Sequence, residues 1–187
     1  SAPPPPPPPP SGSATFTVAG GADDGRERSS DGQVSLTGAG QSLGTSNTHL
    51  AFRFTGVSVP KGATVTSAVL QFEAYSDSNR GATGQFSIVF AAEDAGNSAA
   101  LAASAYNLSS RPKVAPVVAL KPAAWTNGTW VDSPNLSALV QAVVNRADWA
   151  SGNALTLFIA KAADSTEYRT IGQADGGFRT RLVVTWE

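Results

Sequence analysis

Stretches in which apolar and polar residues alternate recur along the chain and predict β-strands. In the segment HLAFRFT, the side chains of Leu50, Phe52 and Phe54 fall on the face that we expect to point inward. Ala51 and Arg53 fall on the opposite face, which we expect to meet solvent. The predicted strands are Phe16–Val18, Gln33–Thr37, His49–Thr55, Thr64–Tyr75, Gln85–Ala91, Ala154–Lys161 and Arg179–Trp186. Several short strands separated by turn residues are typical of an all-β sandwich or barrel.

One segment follows the helical period instead. Its apolar residues are Leu136, Leu139, Val140, Val143 and Val144. Their i, i+3, i+4 spacing forms one apolar stripe and predicts an amphipathic helix over Pro134–Arg146. Ser133 is the predicted N-cap, and proline is well tolerated at the first helical position that follows it. The predicted fold class is therefore all-β: a two-sheet antiparallel β-sandwich, jelly-roll-like, with one short amphipathic helix.

Residues 1–13 form a separate segment that contains eight consecutive prolines, from Pro3 to Pro10. Proline lacks an amide donor and fixes φ, so the run predicts a polyproline II rod. At ~3.1 Å per residue the rod is about 25 Å long. It is either a semi-rigid spacer or a segment that docks in an aromatic groove. Residues 14–187 have the length of a single domain and form the predicted β-sandwich.

Composition and charge argue against several classes of function. The chain has 13 Lys+Arg against 14 Asp+Glu, a formal charge of −1, so it lacks the basic excess of a nucleic-acid-binding protein. No apolar run approaches the roughly 18 residues of a membrane span. The absence of cysteine and the presence of a single histidine, His49, exclude thiolate chemistry and multi-histidine zinc sites. Because no nucleophile-elbow motif or distinct carboxylate pair is present, we expect no enzymatic activity and no required cofactor.

Five sequence blocks follow one another in a characteristic order. They are Ala22–Leu36 (ADDGRERSSDGQVSL), Phe52–Phe72 (FRFTGVSVPKGATVTSAVLQF), Tyr106–Pro112 (YNLSSRP), Pro122–Trp125 (PAAW) and Val140–Leu155 (VQAVVNRADWASGNAL). The series resembles secreted β-sandwich modules of the DNRLRE and carbohydrate-binding-module-like families, over nearly all of residues 16–187. The resemblance implies a module appended to a larger secreted or surface protein, with polysaccharide binding in some relatives. The chain departs from the pattern in its proline tract and at Gly176–Arg179.

Glycosylation is predicted at two kinds of residue. Three N-linked acceptor sequons begin at Asn107, Asn127 and Asn135. The proline run between serines resembles the hydroxyproline-rich tracts of plant and green-algal wall glycoproteins. That resemblance implies hydroxylation and O-linked sugars on Pro3, Pro4, Pro5, Pro6, Pro7, Pro8, Pro9 and Pro10. Both signals indicate an extracellular or cell-surface location in a eukaryote, with a bacterial surface protein as the alternative.

A structural calcium site is the predicted metal chemistry. Ca²⁺ takes six to eight oxygen ligands, which loops at the rim of a sandwich readily supply. The candidate ligands are Asp23, Asp24, Glu27 and Glu167. Arg26 and Arg28 lie among these acids in the sequence, so a surface cluster of ion pairs is the alternative.

Aromatic residues in loops are the candidates for sugar binding, because stacking on a sugar needs an aromatic face presented to solvent. They are Trp130, Trp125, Tyr106 and Tyr168. Trp130 lies between polar residues and is the favoured platform, whereas Trp125 follows a proline and also suits a packing corner. Trp149 and Trp186 are predicted to pack in the core or at its edge.

Three classes of function compete. The leading hypothesis is a structural bead, joined by polyproline rods to copies of itself or to other matrix or wall glycoproteins. The second hypothesis is a carbohydrate-binding module that tethers a larger secreted protein to polysaccharide. An enzyme, with Glu73 and Glu167 as its acids, is the third.

Overall fold

The computed structural model describes residue 7 and residues 9–44, 47–75, 85–115 and 117–187. Of the eight prolines of the predicted rod, only Pro7, Pro9 and Pro10 are among these residues. The strands are β1 (Gly12–Thr17), β2 (Asp24–Arg28), β3 (Val34–Ser35), β4 (Gly40–Leu43), β5 (Asn47–Phe54), β6 (Val65–Glu73), β7 (Ile88–Ala92), β8 (Val118–Leu120), β9 (Trp130–Asp132), β10 (Leu155–Lys161), β11 (Arg169–Gly172) and β12 (Thr180–Trp186). One α-helix, α1 (Ser137–Val144), and two short 3-10 turns, Gly21–Asp23 and Ala174–Gly176, complete the described part of the chain.

The strands form two large antiparallel sheets, connected as in a jelly roll, and a separate two-stranded β4–β11 pair. Sheet 1 has the order β1-β12-β6-β9, and sheet 2 has the order β3-β2-β5-β10-β7-β8. Between these two sheets the chain crosses six times: from β1 to β2, β5 to β6, β6 to β7, β8 to β9, β9 to β10 and β10 to β12. The order β1-β12-β6-β9 packed on β5-β10-β7-β8 is the double Greek key of a jelly roll, to which β2 and β3 are added at one edge. The predicted fold class is confirmed.

The inner faces of the two sheets share one apolar core. Leu50, Phe52 and Phe54 of β5 are fully buried there. Leu70 and Phe72 of β6 lie in the same cluster on the opposing sheet. Because side chains in a strand alternate between faces, these residues point inward as their spacing predicted.

The outer face of sheet 2 is covered by a loop, residues 95–113, which we call the covering loop. Ala51 is fully buried with Phe158 in a second small cluster on this face. Leu101 and Leu108 of the covering loop pack onto both, and Lys113 Nζ lies 4.4 Å from the centre of the Phe158 ring. The prediction that Ala51 meets solvent was therefore wrong. Alternation assigns a residue to a face of the sheet but carries no information about a loop that packs over that face.

The helix begins later than its sequence pattern predicted. Ser133 is not its N-cap, because its hydroxyl accepts a hydrogen bond from the Leu70 amide at 2.9 Å and donates to the Pro134 carbonyl at 2.7 Å. The Asn135 side-chain carbonyl likewise accepts from a backbone amide of β6, at 3.0 Å. The segment before the helix is thus tied to β6, and α1 covers only Ser137–Val144.

Candidate functional site

The last prolines of the tract contact the sandwich at a site that we call the junction: Pro9, Pro10, Gly12, Gly62 and Trp186. The indole N–H of Trp186 donates to the Pro10 carbonyl at 3.0 Å. Gly12 lies directly against this indole, since a Cβ at Gly12 would be 2.7 Å from Trp186 Cζ2. Pro9 Cγ lies 4.0 Å from the place of a Cβ on Gly62. The tract therefore meets the sandwich at a defined point.

Sheet 1 begins inside the segment that the sequence analysis assigned to the rod. Gly12 pairs with Trp186 in β12, and Ser13 pairs with Thr185. Trp186 is 8% exposed and lies at the edge of the core, as predicted. Its hydrogen bond to the tract was not predicted, because an indole donor at the end of a strand has no sequence signature.

A groove opens at one edge of the sandwich, between β8 of sheet 2 and β9 of sheet 1. It has a volume of about 500 Å³ and is lined by residues 120–126 and 129–132. Trp125 is only 5% exposed, and its ring centre lies 5.8 Å from those of Phe72 and Phe86. Trp125 is therefore the packing corner that the sequence analysis gave as its alternative role. It does not offer a sugar a solvent-facing platform.

Trp130 is the more accessible aromatic residue of the groove and is half-buried. The guanidinium carbons of Arg181 and Arg179 lie 4.4 Å and 5.3 Å from the centre of its ring. Arg179 pairs with Glu73 at 2.9 Å, and Arg181 donates to the Gln71 side chain at 2.7 Å. Cation–π contacts at exposed sites stabilise by about 0.5–1 kcal/mol each. These two arginines, which the sequence analysis missed, hold the indole in place.

Arg169 stabilises the backbone that lines one side of the groove. Its guanidinium donates to the carbonyls of Pro122, at 3.1 Å, and of Ala123. It also lies 4.9 Å from the ring centres of both Phe86 and Trp125. Burial lowers the pKa of Arg169, but a guanidinium keeps its charge in proteins. A buried cation thus fixes the backbone that forms one wall of the groove.

The four predicted calcium ligands do not come together. Asp24 pairs with Phe52 in β5 and Glu27 pairs with His49, positions whose side chains lie on opposite faces of sheet 2. Asp23 forms an ion pair with Arg53 at 2.5 Å. Among the described residues, no group of three acidic, histidine or cysteine side chains is placed to hold a metal ion. The alternation of β2 sends Asp24 and Glu27 to opposite faces of the sheet although they are close in sequence.

Glu27 instead anchors the covering loop. Its carboxylate is 3% exposed and accepts hydrogen bonds from the amides of Leu108, at 3.0 Å, and Ser109, at 2.9 Å. His49 Nδ1 lies 3.9 Å from the same carboxylate and 3.0 Å from the Thr48 hydroxyl. Burial lowers the pKa of His49, against the opposing effect of Glu27. The single histidine therefore belongs to a polar cluster beneath a loop.

Asp24 is buried, at 1% exposure, and joins β2 to the 3-10 turn Ala174–Gly176. Its carboxylate accepts from the Ala174 amide at 2.9 Å and from Gln173 Nε2 at 3.4 Å. Burial raises the pKa of Asp24 above its ordinary value of 3.8, against the effect of these hydrogen bonds. The folded protein therefore holds this proton more tightly than the unfolded chain. The contribution of Asp24 to the free energy of unfolding falls as the pH rises from the pKa of the unfolded chain to the higher pKa of the folded protein.

We expect Asp24→Asn to remove this pH dependence and to stabilise the protein at pH 7 by about 1 kcal/mol, because no charge is then buried. The new side-chain carbonyl can still accept from the Ala174 amide. Gln173 Nε2 faces the other oxygen of Asp24, so the new NH2 donates to Gln173 Oε1, which has no partner among the described residues, once the Gln173 amide turns over. Urea unfolding of both proteins between pH 4 and pH 8 measures the effect. Equal pH profiles for the two proteins would contradict it.

The two tyrosines proposed for sugar binding lie away from the groove. Tyr106 is 55% exposed in the covering loop and packs over Gly32, next to the β2–β3 edge of sheet 2. The groove borders β8, at the opposite edge of the same sheet. Tyr168 is 37% exposed and lies beside Gly44, at the end of the two-stranded β4–β11 pair. The four aromatic candidates therefore do not form one surface.

The three sequons lie in different surroundings. Asn127 is exposed in the turn between the two segments that line the groove. Asn107 is half-buried, and its side-chain carbonyl accepts hydrogen bonds from the Ala102 amide at 3.0 Å and from the Arg111 guanidinium at 3.2 Å. Asn135 is exposed, but its side chain bridges β6 and the start of α1. Asn127 has the setting most open to a glycan.

Two further observations bear on identity. In the part of the chain that the structure describes, no helix is long and apolar enough to cross a membrane. The sequence matches no known protein-family model and no curated protein, so its resemblance to secreted β-sandwich modules stays a prediction.

Proposed function

We propose that the chain is a non-catalytic structural module of an extracellular glycoprotein assembly, such as a cell-wall layer or a surface fibril. In this assembly, β-sandwich beads are joined by rigid, glycosylated polyproline rods. The partners are copies of the chain or other wall glycoproteins. The observation that carries the proposal is the hydrogen bond from Trp186 Nε1 to the Pro10 carbonyl.

The chemistry of proline explains why the hydrogen bond from Trp186 to the Pro10 carbonyl matters for the proposal. Proline carbonyls have no amide donors within the tract, so a donor on the sandwich satisfies an otherwise solvated acceptor. Two residues after Pro10, Gly12 enters sheet 1 opposite Trp186. Only Ser11 therefore separates the tract from the first strand of the sandwich. A stiff tract that is attached in this way is suited to setting the distance between domains in an assembly.

The test replaces Trp186 by phenylalanine, which removes the indole N–H donor and keeps an aromatic ring at this position. The chain has no cysteine, so Ala2→Cys and Ala138→Cys, on the exposed face of α1, accept one spin label each. We expect a narrow distribution of label distances in the parent protein and a broader one after Trp186→Phe, because about 1 kcal/mol of hydrogen bonding is lost. Trp130→Phe, the same change at the groove, is the matched control and should leave the distribution narrow.

A broad distribution in the parent protein would show that the tract is slack and would remove the basis of the proposal. Electron microscopy of native material supplies an independent test. Fibrils or sheets with regular spacing support the proposal, and isolated monomers contradict it.

The second candidate function is carbohydrate binding. The observation that favours it is the groove, whose volume of about 500 Å³ lies within the range of small-ligand sites. Trp130 supplies an aromatic surface, and Lys121 and Asp132 supply polar groups at the rim. A glycan-array signal from the purified chain would support this function, and the absence of any signal would contradict it.

A further inference from the structure

The first strand, β1, forms an open edge of sheet 1. β12 pairs with it on one side, and no strand among the described residues pairs with its other side. The other edge strands of the two large sheets, β3, β8 and β9, have two or three residues each, whereas β1 has six. Proteins usually protect a long edge with a charged residue, a proline or a bulge, because its unpaired backbone groups can bind another strand. β1 reads GSATFT and pairs with β12 in an unbroken register, so it has none of these protections.

The pairing with β12 determines which backbone groups of β1 point to the open edge. Directly after β1, the Val18 amide donates to the Thr180 carbonyl opposite it, at 3.0 Å. In an antiparallel pair, residues that exchange hydrogen bonds with the partner strand alternate with residues that do not. The residues at even positions of β1 therefore bond to β12. Those at odd positions, Ser13, Thr15 and Thr17, present their amides and carbonyls to the open edge.

The groups at these odd positions have no partner in the part of the chain that the structure describes. No backbone hydrogen bond between described residues outside the β1–β12 ladder uses their amides or carbonyls. The described prolines nearest to the strand lie on its β12 side, with Pro10 bonded to Trp186 and Pro9 beside Gly62. The three side chains are exposed, small and uncharged, and threonine favours strands. The edge is therefore accessible to a strand from outside.

A second copy of β1 has the backbone pattern that matches this edge. When two β1 strands pair antiparallel about a twofold axis at Thr15, the two Thr15 residues face each other, and Ser13 of each copy faces Thr17 of the other. Every residue in these three pairs has an outward amide and an outward carbonyl, so the contact contains about six hydrogen bonds. A shift by one residue would oppose these groups to residues that already bond to β12. Cross-strand pairs of threonine and serine hydroxyls on the outer face stabilise the same register.

We infer that two copies of this chain associate through antiparallel pairing of their β1 strands, which joins sheet 1 of one copy to sheet 1 of the other. This inference rests on the proposed function and identifies the surface through which copies of the chain meet. The contact is isologous, so it joins two copies and does not propagate further. Because the paired strands run in opposite directions, the two Gly12 residues, which the proline tracts precede, lie at opposite ends of the pair.

The pairing of single edge strands buries little surface, so the association of two isolated chains is weak. In an assembly that holds many copies close together, the same contact is strengthened by the high effective concentration of its partners. Measurements on the purified chain therefore need high protein concentrations.

Charges placed at the twofold axis test the contact. Thr15→Lys opposes two ammonium groups across the pair and Thr15→Glu opposes two carboxylates, and like charges in these positions are destabilising. In sedimentation velocity at about 10 µM to 1 mM, we expect the parent protein to associate and each variant alone to associate at least about tenfold more weakly. An equimolar mixture of the two variants should associate again, because opposite charges then face each other. Ala138→Lys and Ala138→Glu, on the exposed face of α1, are the matched controls and should associate as the parent does. A thermal melt establishes that each variant is folded.

Cysteine cross-linking tests the register. The chain has no cysteine, and hydrogen-bonded residues of an antiparallel pair have Cα atoms about 5.5 Å apart, within the range of a disulfide. On mild oxidation with oxidised glutathione, we expect Thr15→Cys to form a covalent dimer. Ser13→Cys alone should remain monomeric, whereas its mixture with Thr17→Cys should give a mixed dimer. Ala138→Cys is the control for random collision and should remain monomeric.

Three results would overturn the inference. The first is a parent protein that stays monomeric up to about 1 mM. The second is association that Thr15→Lys and Thr15→Glu leave unchanged, since another surface would then be responsible. The third is a mixture of these two variants that fails to associate although both are folded. The spin-label distances between residues 2 and 138 report on the tract of a single copy, so they still test the proposed function when the chain proves monomeric.

Discussion

Trp149→Ala is expected to lower the free energy of unfolding by about 4 kcal/mol, the largest effect of any substitution considered for this chain. Trp149 is 2% exposed and is one of the largest fully buried side chains. Its indole N–H donates to the Val59 carbonyl at 3.1 Å, which ties the segment after α1 to the β5–β6 connection. Removal of the ring leaves a cavity and an unsatisfied buried carbonyl, and both effects are destabilising. Chemical denaturation monitored by far-ultraviolet circular dichroism measures the change.

Two comparisons separate the cavity from the hydrogen bond. Trp149→Phe keeps most of the ring volume, so its expected cost is about 1–2 kcal/mol from the lost donor and the smaller ring. Tyr168→Ala removes an aromatic ring that is 37% exposed and should cost less than about 1 kcal/mol. If Trp149→Ala proved no more harmful than Tyr168→Ala, the packing described around α1 would be incorrect.

Glu27→Ala is expected to cost about 3 kcal/mol and to loosen the covering loop. The Glu27 carboxylate accepts hydrogen bonds from the amides of Leu108 and Ser109. Its loss leaves these amides without an acceptor beside the small cluster of Ala51 and Phe158. Hydrogen exchange at the Leu108 amide should therefore accelerate more than exchange at the centre of β6.

Glu27→Gln is the matched control, because it keeps a side-chain carbonyl in nearly the same place and removes only the charge. We expect about half the cost of the alanine variant, since hydrogen bonds to a charged acceptor are roughly twice as strong as neutral ones. Unchanged exchange at Leu108 in Glu27→Ala would mean that packing alone retains the loop.

The strands that build the core could be predicted from the sequence because burial of one face imposes a period of two. β5, β6, β10 and β12 were all predicted to within two residues of their ends. Their inward residues, such as Phe52 and Leu70, are fully buried. A jelly-roll-like sandwich was predicted as the fold class from the number of short strands, whereas the order of the strands in each sheet was not.

The strands that were missed have polar or irregular sequences. β2 reads DGRER, and its place in sheet 2 comes from pairing with β5 and β3, together with partners for its two buried acids. β8 and β9 have three residues each, too few to show a period. Such segments become strands because a neighbouring strand offers unpaired backbone groups, and local sequence does not record that neighbour.

The candidate sites depended on contacts between residues distant in sequence. Trp130 was predicted as an exposed platform; it is half-buried in a groove, and the two arginines over its ring come from β12 and the loop before it. Asp24 and Glu27 are three residues apart, and strand geometry sends them to opposite faces. The position of the arginines beside Trp130 and the partners of Asp24 and Glu27 depend on the register between neighbouring strands, which the spacing of residues along the chain does not give.

The pairing of β1 with β12 sets the path of any longer polypeptide that contains this sandwich. Gly12 lies opposite Trp186, and Thr64 exchanges two backbone hydrogen bonds with Glu187, at 2.7 Å and 2.9 Å. A polypeptide that continues in both directions thus arrives and departs at one corner. The width of the sandwich would therefore add little to the end-to-end length of such a polypeptide.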